Sequence, residues 1–405
     1  MRPCIVITYP FPIGRATGGA RMTREIARNL GKLGADVILL PVSASIQRQF
    51  PRPSVDNGFL GFEFDDELLK DSVSVERVTQ HPLNMQLDGL SVRKTLKKIL
   101  KQRHVDMVLS YYHEAAFLPS FLKSKNIKFG YISTWQSYEW ALNSYKRGGP
   151  IQNFKKKQVN LRFIIKPHNQ ADILFATSQF TRDELINVVG VDGSRVIVCP
   201  LGVESKFYKI PRSQPEKISN FIFFGRIVES KGIVDAIKAL GMLAARGFTD
   251  WNFRVVGQGN HEWARNLANE HGIADQVSVY GPFDDEKLEH ELKRAHLAIM
   301  PSHSESFGLS IAEAQAAGIP LVAYEAGSVP EVVENGVTAW LAPFREVKKL
   351  SECIEGAIRD PKTTYQAGLA GRKRVKEMFT WEKTGEIMLE GIQKVCLNGT
   401  VKGVA

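Results

Sequence analysis

Short apolar runs alternate along this chain with helical stretches of about ten to fifteen residues, and that rhythm leaves few folds open. Cys4–Tyr9 reads as a strand, Met22–Leu33 as a helix ending at Gly34, and Asp36–Pro41 as the next strand. The series continues with Val105–Ser110, a helical Glu114–Lys123, Phe129–Ser133, Asp172–Ala176 and a helix over Gln179–Val188 that Ser178 would cap. Runs this short between helices predict parallel strands covered by helices on both faces.

A polar, proline-marked stretch, Pro211-Arg212-Ser213-Gln214-Pro215-Glu216-Lys217, then suits a domain boundary. A second series follows it. Strands are expected at Phe221–Phe224, Asn252–Val256, Val277–Tyr280, Leu297–Met300 and Leu321–Tyr324. Helices are expected between them, at Ile233–Ala245, Glu262–His271, Glu286–Arg294 and Ser310–Ala317. With 405 residues the chain exceeds one ordinary core. The reading is two doubly wound α/β domains, residues 1–205 and 206–380. An amphipathic helix, Trp381–Val395, lies in a segment 381–405 that would pack back towards the first domain.

Several classes fall away. Apolar residues at 43% and charged residues at 24% argue against a disordered chain. Cys4, Cys199, Cys353 and Cys396 are far apart, so a zinc ribbon, a redox C-x-x-C motif and a disulfide framework are not expected. No apolar run approaches the ~18 residues that span a bilayer. Met1–Pro10 reads as a buried strand rather than a signal peptide, and the expected setting is cytoplasmic.

In open parallel sheets, ligands bind beyond the carboxyl ends of the strands, so the strand-to-helix loops carry the chemistry. The first, Pro10 to Ala20, contains Gly18-Gly19, which either lets backbone approach a ligand or merely serves a turn. G-x-G-x-x-G is absent from that loop and a Walker motif from the chain. The second, Phe224 to Gly232, carries Arg226 and Lys231 just before a helix start. They read either as two solvated cations or, because cations there oppose the helix dipole unless an anion lies between them, as a pair straddling a diphosphate. In the third, Gly257-Gln258-Gly259 shapes a turn. The fourth runs from Pro301 through Glu305-Ser306-Phe307-Gly308-Leu309 to Glu313, ahead of a helix that stops at Gly318. Its two carboxylates suit two polyols, and backbone N–H groups at Phe307, Gly308 and Leu309 would face whatever occupies the helix start.

Glu305-x7-Glu313 and the Gly-Arg…Lys-Gly loop together resemble the E-x7-E motif and phosphate loop of the retaining family 4 glycosyltransferases. Val196 to Val203 is similar to that family's domain-junction segment, Ala326-Gly327-Ser328-Val329-Pro330-Glu331 to its G-G-x-P-E turn, and Gly18-Gly19 to its N-terminal glycine loop. The resemblance implies a GT-B fold, two Rossmann-like domains facing a central cleft. It also implies transfer of a hexosyl group, with retention, from a nucleotide diphosphate sugar to a glycan, glycolipid or small-molecule hydroxyl. By the same resemblance Arg226 and Lys231 neutralise the diphosphate, Glu313 holds the ribose and Glu305 the hexose. Ser306, Phe307, Gly308 and Leu309 border the sugar and phosphate, while Gly257 and Pro282 line the donor side. No cofactor is implied, and with no D-x-D sequence no metal is expected either. No residue is an evident general base, and the resemblance implies that the departing phosphate takes the acceptor's proton. Many members carry a histidine after the middle N-domain strand, where this chain has Thr134-Trp135-Gln136. His113 is then either an acceptor-side group or a packed residue. A non-catalytic or epimerase-type sugar-nucleotide-binding protein remains the alternative.

Charge is uneven. Residues 1–200 hold 28 Lys and Arg against 17 Asp and Glu, whereas residues 201–405 hold 25 against 26. Val92–Arg103, Phe154-Lys155-Lys156-Lys157 and Lys123 to Lys128 concentrate the excess. They read either as solvated faces or as a surface for anionic membrane, which would make the protein peripheral and suit a lipid-linked acceptor. Nucleic acid is not an expected partner, because no motif accompanies the charge.

Overall fold

The computed structural model describes residues 2–10, 18–43, 72–76, 78–79, 87–143 and 150–398. The chain divides into two units, Met1–Pro200 with Trp381–Ala405, and Leu201–Thr380.

Among its described residues, unit 1 is a parallel sheet of eight strands: β1 (Cys4–Tyr9), β2 (Asp36–Ser43), β3 (Val73–Val75), β4 (Val78–Thr79), β5 (Met107–Ser110), β6 (Lys128–Ser133), β7 (Ile173–Ala176) and β8 (Val196–Val198). Their order is β3-β2-β1-β5-β6-β7-β8, with β4 paired to β2. The central strands are buried throughout, because helices cover both faces. The expected helix over Glu114–Lys123 is instead a 3-10 turn, His113–Phe117, followed by a short α-helix, Pro119–Lys123. Pro119 lacks an N–H and cannot continue a helix, but its fixed φ suits a first helical position. The helix expected over Gln179–Val188 runs to Glu184, then widens into a π turn, Leu185–Val189, closed by left-handed Gly190. The last helix, Trp381–Asn398, belongs to unit 1 and packs along the Gly18–Lys32 helix and β7. A Cβ on its Gly385 would lie 3.0 Å from the Cβ of Asn29, so the absence of a side chain permits the approach.

Unit 2 has six parallel strands: β9 (Asn220–Phe224), β10 (Asn252–Val256), β11 (Val277–Tyr280), β12 (Leu297–Ile299), β13 (Leu321–Glu325) and β14 (Ala339–Pro343). The order β11-β10-β9-β12-β13-β14 is the doubly wound arrangement, in which the chain reverses direction across the sheet between β9 and β12. Phe221, Phe223, Phe253, Ile237 and Leu240 form the centre of its core.

One buried group in unit 1 makes stability depend on pH. His168 is buried, with Nδ1 2.6 Å from the Ile164 carbonyl and Nε2 2.8 Å from the Tyr138 hydroxyl. Nδ1–H therefore donates to Ile164, and Nε2 accepts from the tyrosine. Both bonds suit a neutral ring, and burial brings its pKa down to about 4. Between about 4 and 6.5 the unfolded chain binds a proton that the folded one refuses, so stability falls as pH drops through that window. The full shift corresponds to roughly 3 kcal/mol. His168→Gln keeps an acceptor for Tyr138, and its unfolding midpoint should decline less steeply than the wild type's from neutral pH to about 4. Parallel curves would show that His168 does not titrate this way.

Candidate functional site

The switch point of the unit 2 sheet lies between β9 and β12, and the loops leaving these two strands form the site. After β9 the chain turns at Gly225, whose N–H donates to the Val256 carbonyl at 3.0 Å, and Ile227 N–H donates to Gln258 at 2.8 Å. The loops after β9 and β10 are thus joined backbone to backbone. Gly257 has φ +155°, and a Cβ there would sit 1.6 Å from the Gly225 carbonyl oxygen. The chain then closes a 3-10 turn, Glu229–Lys231, and enters the Ile233–Ala245 helix at Gly232, with φ +75°. A Cβ on Gly232 would meet the Pro301 carbonyl oxygen at 1.8 Å. Glycine here lets the loop after β9 lie flat against the loop after β12.

That contact brings Lys231 to Glu305. The ammonium donates to both carboxylate oxygens, at 2.6 and 2.7 Å, and Ser302 Oγ donates to Oε1 at 2.8 Å. Glu305 is only 5% exposed. Its backbone is pressed by Gly327 after β13, where a Cβ would lie 2.7 Å from both the Glu305 N and O. The Ser328 N–H donates to the Glu305 carbonyl at 3.1 Å. The loops after β9 and β12 therefore hold the Glu305 carboxylate, and the loop after β13 holds its backbone. Arg226 is exposed on the first of them, and its guanidinium makes no ion pair among the described residues. Gly308, with φ +86°, starts the Leu309–Ala316 helix, and Glu313 is buried on its second turn. Ser306 is half-buried, whereas the Phe307 ring turns inward to pack edge-on against Phe379 at 5.3 Å.

The other residues singled out from the sequence lie on other elements. Pro282 is exposed beyond β11, the edge strand, beside Tyr280 and Phe283, whose rings lie 5.4 Å apart. Gly18 and Gly19 are in unit 1, as the first residues of the Gly18–Lys32 helix. Residues 11–17 of that glycine loop lie outside the described residues. His113, also in unit 1, has Nε2 3.5 Å from Oδ2 of buried Asp88. Nearby, at the β1–β5 switch point, Glu114 is buried with one oxygen accepting from Tyr111 N–H at 3.0 Å and Tyr112 N–H at 3.3 Å. Burial pushes its carboxyl pKa upward.

The sequence reading passed over one tie. His303 Nε2 lies 3.0 Å from Asp235 Oδ2, while His303 N–H donates to the Ser230 carbonyl at 2.9 Å. Burial alone would raise the Asp235 carboxyl, but His303, together with Tyr324 and Lys238, draws it the other way and the net shift is downward. The ring also packs edge-on against Phe344 at 5.8 Å. His303 thus fastens the loop of Glu305 to the residue before Lys231. His303→Ala should destabilise the protein by about 1–3 kcal/mol, since it strands a partly buried carboxylate. Asp235→Asn should recover part of that loss in the double variant. Identical thermal unfolding of wild type and His303→Ala would mean that the tie contributes nothing.

Among the described residues, no group of three or more His, Cys, Asp or Glu side chains is placed to hold a metal ion. No helix among them is long and apolar enough to cross a membrane.

Comparison with known proteins agrees with this architecture. Glycogen synthase of Mycobacterium tuberculosis is 30% identical over 218 residues, 53% of this chain and 52% of that one. The chain thus matches about half the length of this curated relative. Sucrose-phosphate synthase from Thermosynechococcus elongatus superposes with a TM-score of 0.79 at 18% identity, over 97% of this chain and 99% of that one. HepE of Anabaena, solved in complex with UDP and glucose, gives 0.71 at 17% identity, over 97% and 100%. These likenesses establish the GT-B fold. The model of Glycosyltransferase Family 4 matches residues 16–207, and that of Glycosyl transferases group 1 matches residues 206–374. The two models meet at the junction after β8 and leave little of the described chain uncovered, so this protein belongs to the family 4, group 1 glycosyltransferases.

Proposed function

We propose that the protein transfers a hexosyl group from a nucleoside diphosphate sugar to an acceptor hydroxyl, with retention and without a metal ion. The observation that carries this reading is the Lys231–Glu305 pair at the β9–β12 switch point, its carboxylate buried, with an Arg226 on the same loop as Lys231 that has no ion-pair partner among the described residues. A departing diphosphate gains negative charge, and fixed cations aimed at it lower the barrier. Arg226 meets it as a fork and Lys231 as a point charge, so protein cations do what a divalent ion does in other sites. Glu305, already oriented by Lys231 and Ser302, accepts from hydroxyls of the hexose. Glu313 serves the ribose, and the backbone N–H groups of Phe307, Gly308 and Leu309 border the sugar and phosphate.

The acceptor oxygen attacks the anomeric carbon from the side on which the bond to the diphosphate breaks. Its proton passes to the departing phosphate oxygen, which leaves the anomeric configuration unchanged. The UDP and glucose held by HepE support a uridine donor as the first to test.

The test is a thermal-shift panel of UDP-, GDP- and ADP-sugars, since a ligand bound to the folded state raises the midpoint by mass action. The donor that shifts it is then assayed for transfer with and without EDTA, and the product's anomeric configuration is read by NMR. Undiminished transfer in EDTA with a retained anomer is expected. An inverted product, loss of activity in EDTA, or no midpoint shift with any sugar nucleotide would each refute the corresponding part.

A further inference from the structure

Unit 1 gathers its positive charge around one turn. The 3-10 turn His113–Phe117 is flanked by the Asp88–Ile99 helix on one side and by the π turn Leu161–Ile165 on the other. The first contact is tight, for a Cβ on Gly89 would lie 2.5 Å from the Glu114 carbonyl oxygen. The second is made by the Phe163 ring, edge-on to Phe117 at 6.2 Å, and by the Arg162 guanidinium over the same ring at 4.6 Å. Residues 89–105 and 140–171 contain no Asp or Glu at all. On the first helix, exposed Lys94, Lys97 and Lys98 recur at helical spacing with exposed Leu90, and exposed Lys101 follows in the turn beyond its end.

The second element adds what a plain cationic face lacks. The Pro150–Asn160 helix continues into the π turn, and Phe154 and Leu161, seven residues apart, share one side of it. Phe154 is 64% exposed and Leu161 48%. Lys155 and Lys157 beside Phe154, and Arg162 beside Leu161, are exposed as well. Large apolar side chains held outward among lysines are poorly placed in water, and an amphipathic basic helix of this kind lies at the boundary of headgroups and acyl chains. A nucleic acid would use the cations and one aromatic ring, but it offers aliphatic Leu90 and Leu161 no partner.

We propose that this face of unit 1 docks on a bilayer bearing anionic headgroups, with Phe154 and Leu161 entering the acyl boundary and the lysines of both elements facing the lipid charge. Each lysine near such a surface contributes about 1 kcal/mol, so several acting together give measurable attachment without a spanning segment. The proposal is independent of which sugar is transferred.

The experiment is flotation of the full chain with vesicles of phosphatidylcholine alone and of phosphatidylcholine mixed with phosphatidylglycerol. Binding to the mixed vesicles and none to the neutral ones is expected. Phe154→Ser with Leu161→Ser should weaken it about tenfold, and Lys94→Glu with Lys97→Glu and Lys98→Glu about a hundredfold or more. All these side chains are on the surface, and circular dichroism with donor-induced thermal shift checks that both variants keep the fold. No binding to anionic vesicles would overturn the proposal. So would full binding by the Phe154/Leu161 variant, which would leave a polycation attracted to any polyanion, or a preference for polyuridylate over vesicles lost in that same variant.

Discussion

Lys231→Ala should cost the protein both stability and transfer, and adding Glu305→Gln should return the first without the second. Glu305 is buried and held by the Lys231 ammonium on both oxygens, with Ser302 as its other side-chain donor. Removing the lysine leaves an unpaired buried carboxylate, which costs about 3–5 kcal/mol. In a unit of this size that lowers the unfolding midpoint by roughly 10 °C. Glutamine carries no charge to strand, so the double variant should unfold close to the wild type. Neither change restores a cation for the departing diphosphate, and the transfer rate should stay down by about 10²–10³ in both. Thermal unfolding and initial rates with the donor found by thermal shift check each half separately. A Lys231→Ala protein as stable as the wild type would show that the pair does not form in solution. A double variant that regained transfer would remove Lys231 from the chemistry.

Gly257→Ala should damage the fold about as severely as the loss of Lys231. The new methyl would stand 1.6 Å from the Gly225 carbonyl oxygen, at a φ of +155° that side chains rarely adopt. Both partners are backbone, and neither can swing aside. Displacing them breaks the Gly225–Val256 and Ile227–Gln258 hydrogen bonds that join the loops. The expected loss is about 3 kcal/mol or more, from overpacking and backbone strain together. Sugar-nucleotide binding should weaken with it, because Arg226 rides on the displaced turn. Gly356 is the matched control, since it lies exposed in the Val347–Arg359 helix with nothing within 4 Å of a Cβ. Gly356→Ala should stabilise by roughly 0.5–1 kcal/mol through helix propensity. Calorimetry of the two variants side by side decides it, and equal midpoints would mean that the loops after β9 and β10 are not locked together.

The alternation of strand and helix was readable because strands buried on both faces must be apolar throughout, as Phe221–Phe224 and Leu321–Tyr324 are. Strands β3, β4 and β8, of two or three residues, are too short for any period to show. Val196–Val198 was noticed only as part of the junction segment. At the site, Lys231 and Glu305 each stood out, but with separate ligand groups assigned to them. Their direct bond depends on β9 and β12 lying side by side, and strand order is set by packing rather than by position along the chain. The same holds for His303 and Asp235, 68 residues apart, and for Gly327 against Glu305. Phe307 is a further case, since the sequence assigned only its backbone N–H to the site and did not show that its ring packs on Phe379.

The membership of the Trp381–Asn398 helix has a bearing on synthesis. Every described strand of the first sheet has been made by residue 198, yet the helix that packs on β7 and the Gly18–Lys32 helix is made only after all of unit 2. Unit 2 is whole by residue 380, with its two ends tied where Val203 N–H donates to the Phe379 carbonyl at 3.1 Å. Unit 2 can therefore mature before unit 1, and a stop near residue 380 would damage unit 1 while sparing unit 2.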